Sequence, residues 1–112
     1  MRAPHLNRAL LLEQESLEAD GAGGFHRSWL ALGQLWAAVR AGAGRESPGE
    51  ELSLATIPWA ITLRGAPPGS ALRPRPGQRF REGLRIFTIL TVAERDAGGR
   101  WLICSCREEG AR

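Results

Sequence analysis

FHRSWLALGQLWAAVR, residues 25–40, is the stretch on which the fold class turns. Trp29, Leu32, Leu35, Trp36 and Val39 recur at helical spacing, with Ser28 placed as an N-cap and Gly42 as a residue just past a helix end. Read locally, helix is slightly favoured. Against it, Gly33 sits mid-segment, where glycine costs a helix about 1 kcal/mol but marks a bulge or bend between two strand pieces. On local pattern both readings stay open.

The surroundings are strand-like. Residues 7–15 (NRALLLEQE) are a short apolar run with polar flanks, read as a first strand, and Asp20-Gly21-Ala22-Gly23-Gly24 as a hairpin loop. Residues 41–51 (AGAGRESPGEE) have nothing to bury and read as an exposed, mobile loop. Residues 55–64 (ATIPWAITLR) alternate from Trp59 onward, with Pro58 confining the start of that strand to an edge or bulge. The next 13 residues, 65–77, hold four prolines and three glycines, a wide connection.

The plainest hairpin signal follows: residues 78–81, a turn at Glu82-Gly83, then residues 84–93 (LRIFTILTVA). A second turn at residues 95–99 leads to a last strand over residues 100–107 (RWLICSCR), so the second half reads as a β-meander. No internal repeat or boundary appears, and residues 1–112 are read as one domain.

Composition narrows the class. At 112 residues roughly 65% of the unfolded surface can be buried on folding, enough for a thin core without an obligatory metal or disulfide. Glycine and proline make up 21 residues, too many for a helical bundle. All 15 basic residues are arginine. Residues 1–54 hold 5 arginines against 7 acids, whereas residues 55–112 hold 10 against 5. A positive field in the second half suits nucleic acid or the acidic half of a neighbouring subunit.

No apolar run approaches the roughly 20 residues that span a bilayer, and residues 1–7 lack the apolar core of a secretory signal. A soluble, intracellular chain with no membrane partner is expected. Cys104 and Cys106 in a strand would have Cα atoms roughly 6.6 Å apart, near the upper limit for a disulfide. They are expected reduced and buried on one face with Leu102.

Little here resembles an active site. The two histidines, His5 and His26, lie beside a terminus and a glycine loop, no usual zinc spacing is present, and the glycine-rich turn lacks a phosphate-loop signature. No catalytic residue, metal, cofactor or small-molecule substrate is expected. The basic stretch Arg73, Arg75, Arg79, Arg81 and Arg85 is the candidate contact surface, either for nucleic acid or for another subunit; its bland reading is a solvated hairpin face. Single-strand binding would want exposed aromatics between the arginines, and Phe80 alone fits. Of the four tryptophans some suit a subunit interface, with Trp36 expected in the core.

Taken in order, Leu6-Asn7-Arg8 leading into Leu10 and Leu12, the glycine turn, Trp29, Leu35-Trp36-Ala37-Ala38-Val39 and Gly44-Arg45-Glu46 resemble the head–tail joining family of tailed bacteriophages. These are the neck stopper or head-completion proteins, with versions in gene transfer agents. Ala60-Ile61-Thr62-Leu63-Arg64, Arg85-Ile86-Phe87-Thr88-Ile89 and Leu102-Ile103-Cys104 through Glu108 resemble its later strands.

The resemblance implies a mainly β fold, a small barrel or meander of about six short strands with a long mobile loop after the second. It also implies that residues 25–40 are two strand pieces bent at Gly33. As partners it implies further copies of the chain in a ring of six or twelve, a portal–adaptor ring above, a tail terminator or tail tube below, and double-stranded DNA in the channel. Such a protein works in the neck of a particle assembled in the bacterial cytoplasm. The resemblance assigns Arg45, Glu46, Ser47, Pro48, Gly49, Glu50 and Glu51 to a channel loop. Many members carry a longer Ala/Gln-rich helix there, which in this chain is cut to residues 47–53. A stand-alone nucleic-acid-binding barrel using Arg73 to Arg85 is the alternative.

Overall fold

The computed structural model describes residues 3–42 and 57–110. Six antiparallel strands, β1 (Arg8–Ala19), β2 (Phe25–Ala41), β3 (Pro58–Arg64), β4 (Arg79–Glu82), β5 (Arg85–Glu94) and β6 (Trp101–Glu108), close in the order β1-β2-β3-β6-β5-β4. The barrel reading holds, although β1 and β2, of 12 and 17 residues, are not short. The loop read as mobile lies almost entirely outside the described residues.

Residues 25–40 are strand throughout, against the local helical preference. Register explains the helical look of the sequence. Leu12 faces Gly33 but Glu13 faces Ala31, so Leu32 is an extra residue in a bulge. Beyond the bulge Leu35, Ala37 and Val39 point into the barrel; before it the same odd positions, Trp29 and Ala31, lie on the outer side with Glu15 and Glu13. A parity switch in a strand thereby imitates a period near 3.6. Glycine suits position 33, where φ is +158° and a Cβ would come within 2.7 Å of the end of the Leu72 side chain.

Every strand sends side chains inward: Leu10 and Leu12, Ala37, Ile61 and Leu63, Phe80, Phe87 and Ile89, and Leu102, Cys104 and Cys106 are all buried. Trp59 meets Phe87 edge-on at 5.7 Å between centroids. Both cysteines are free and buried as expected. Burial pushes the Cys104 thiol up to about 12 and the Cys106 thiol in the same direction.

Two expectations about aromatics are corrected by the alternation of strand positions. Trp36 is 57% exposed, because its neighbours Leu35 and Ala37 take the inward positions. Phe80 is fully buried, leaving no aromatic between the arginines of β4 at the surface. The meander reading holds for β4, β5 and β6, whereas β3 pairs with β6 and residues 65–77 cross the barrel end to reach β4.

Candidate partner-binding surfaces

The five arginines read as one basic surface are spread over three places. Arg79 and Arg81 flank Glu13 on the outer wall, at Nε–Oε1 2.6 Å and Nε–Oε2 3.3 Å; the second contact is an ion pair without a hydrogen bond. Glu13 is only 5% exposed, so each arginine there is engaged by a nearly dry carboxylate. The Arg79 guanidinium also lies 4.0 Å above the Trp29 ring, with Arg27 at 5.6 Å.

Arg85 belongs to one mouth of the barrel. It hydrogen-bonds Glu108 through Nε at 2.8 Å and Nη2 at 3.1 Å, and its guanidinium lies over Trp59 and Phe87. Beside it Arg8 grips Glu82 with two hydrogen bonds of 2.7 and 2.6 Å. The Arg8 hydrogen bonds hold the Glu82 carboxyl below its ordinary range, and the Glu108 hydrogen bond raises Arg85. Two bidentate pairs and a tryptophan therefore stopper the end from which the stems at Gly42 and Pro58 emerge.

Arg73 and Arg75 sit at the other mouth, lining a depression of about 400 Å³ with Gln14, Leu32 and Gln78. Arg73 donates to the Ala66 carbonyl at 2.7 Å, and Arg75 is exposed. The charge asymmetry between the halves of the sequence is partly spent inside the molecule, since the single charge of Glu13 is shared by Arg79 and Arg81 of the second half, whereas the Arg8–Glu82 pair takes a cation from the first half and an anion from the second. The five arginines therefore do not form one continuous basic face. The channel-loop residues Arg45, Glu46, Ser47, Pro48, Gly49, Glu50 and Glu51 lie outside the described residues.

Sequence reasoning missed the projecting arm. Past Glu13, β1 pairs with β2 alone, so residues 14–30 form a two-stranded hairpin extending beyond the barrel. Its turn is fixed by Asp20, whose Oδ1 accepts from the Ala22 and Gly24 amides at 2.8 and 3.0 Å and whose pKa is lowered by them. On one face of the arm Leu17 is 64% and Phe25 71% exposed. The alternation of these residues carried the signal, had the first strand been read past Glu15.

The barrel spends its inner face on its own core and leaves a hairpin with exposed Leu17 and Phe25 outside it. The chain belongs to the phage head completion protein family, whose model matches residues 1–109. It is therefore a structural protein of head completion and not an enzyme. Among solved structures it is similar to a chain of the virion of a native gene transfer agent particle, 55% identical, covering 98% of this chain and 100% of that one, with a TM-score of 0.79. The solution structure of protein SF1141 from Shigella flexneri 2a shares the fold at 22% identity, covering 100% of both chains with a TM-score of 0.70. No match was found among curated proteins.

Proposed function

We propose that this chain is a neck component of a phage-like gene transfer agent particle, where copies form a ring between the portal–adaptor complex and the tail and surround the DNA path. The observation that carries this reading is the 55% identity, over nearly the whole chain, to a component of a native gene transfer agent virion. The closed barrel supports it physically, since a self-contained core lets the outer surfaces serve assembly. Within this reading Arg45 to Glu51 border the channel.

Deleting the gene in a producing strain and imaging the particles tests the role. DNA-filled heads without tails, restored by the full chain, are the expected result, with the restored particles showing a ring at the neck. Normal tailed particles that transfer DNA at the usual frequency without this chain would overturn it.

A further inference from the structure

The outer wall over β2, β3, β6 and β5 carries mostly short side chains, and Ala3, Pro4 and His5 border it on one side. Register places Ala38, Thr62, Ile103 and Ala93 in one cross-strand row, with Ala60 and Ser105 in the next. These small side chains leave two adjoining depressions of about 700 and 230 Å³ that share Ala60 and Ile103. Arg40 and Arg95 line the trough, and no acid does so among the described residues. Among the described residues Arg95 Nη1 is buried with no hydrogen-bond partner, so the wall carries apolar volume together with a buried donor that they do not satisfy.

The arm of the same molecule has the opposite character. Residues 14–30 carry three acids; Glu15 is paired with Arg27, the single arginine there, at 2.5 Å, which leaves Glu18, beside His26, and Asp20 as the acids of the tip, while Leu17 and Phe25 stand on one face. We infer that the arm of one copy docks in this trough of the next, with Phe25 and Leu17 against the small-residue wall and the acidic tip near Arg40 and Arg95.

Two different patches on one chain make a head-to-tail contact, which propagates around a ring and closes when the rotation allows. A contact of arm on arm would stop at a dimer. Charge complementarity selects a second copy as occupant: an acidic apolar ribbon meets a basic apolar trough, whereas DNA offers the trough no aliphatic surface. The inference rests on the ring reading above and deepens it by naming the seam between neighbours.

Particles assembled with the full-length Phe25→Cys/Ala60→Cys double variant test it by oxidation and non-reducing electrophoresis. Buried Cys104 and Cys106 stay silent in the native protein. A ladder at multiples of the chain mass is expected from the double variant, and none from either single variant. Particles that contain the double variant yet give no ladder would overturn the seam, as would a dimer from Phe25→Cys alone or an adduct with another particle protein.

Incorporation gives a second readout. Phe25→Asp and, separately, Ala93→Arg should each melt like the parent protein yet fall at least tenfold in particle content. A folded variant incorporated at the parental level overturns the seam. Each of these failures leaves a neck ring visible by imaging in parental particles, whereas absence of that ring is the failure of the underlying reading.

Discussion

Phe87 and Phe25 are the same residue in two different molecules within one chain. Phe87 is completely enclosed, touching Trp59 and roofed by Arg85, while Phe25 stands in solvent near the tip of a two-stranded arm. In the barrel, each strand has neighbours on both sides and one face in the core. Toward the tip of the arm, beyond the contact of Arg79 with Trp29, there are two strands, no second layer and both faces wet. The difference teaches that folding free energy is concentrated in the barrel, and that the apolar residues of the arm contribute stability only once something covers them.

The sharpest way to break that comparison is one substitution made twice. Phe87→Ala should destabilise the isolated protein by about 3–5 kcal/mol, through lost burial and the cavity left behind, which calorimetry or denaturant unfolding measures directly. A small effect would mean the barrel is not where the stability lies. Next in size, Glu13→Gln removes the carboxylate that Arg79 and Arg81 share, and should cost about 1–3 kcal/mol because Arg79 is left nearly buried beside a weaker acceptor. Unchanged unfolding would show that the pairing is surface decoration.

A third, smaller effect is read with pH. The ordinary thiol value is 9.0; below it Cys104 is protonated in both folded and unfolded chains. Above it the unfolded chain ionises while the folded Cys104 keeps its proton up to about 12, so stability falls progressively as pH rises through that window. Cys104→Ala should flatten this slope, and thiol reagents should label the native protein far more slowly than the unfolded one. Rapid native labelling would contradict burial. Smallest of all, Phe25→Ala should shift stability of the isolated chain by no more than about 0.5 kcal/mol. A loss comparable to that at Phe87 would mean the arm folds back and joins a core.

Much of the barrel was legible because strands announce themselves when only one face is buried. Leu102, Cys104 and Cys106 alternate without interruption, and all three point inward. The segment 25–40 was not legible from its own pattern, since one extra residue at Leu32 exchanges the two faces and counterfeits a helix. That the five arginines do not form one surface was not legible for a different reason. Whether Arg79 is a contact for DNA or half of an internal pair depends on Glu13, 66 positions away, and no local spacing encodes that. The resemblance of ordered short motifs, by contrast, pointed to the head completion family directly, whose model matches residues 1–109.

The amide of Gly42 donates to the Pro58 carbonyl at 2.7 Å, which pins together the two stems of everything between them. A closure fixed at its base holds β2 and β3 in register whatever the length of chain between them, since the entropy of closing a loop grows only with the logarithm of its length. Segments of quite different size can thus be exchanged at this point without the barrel registering the change.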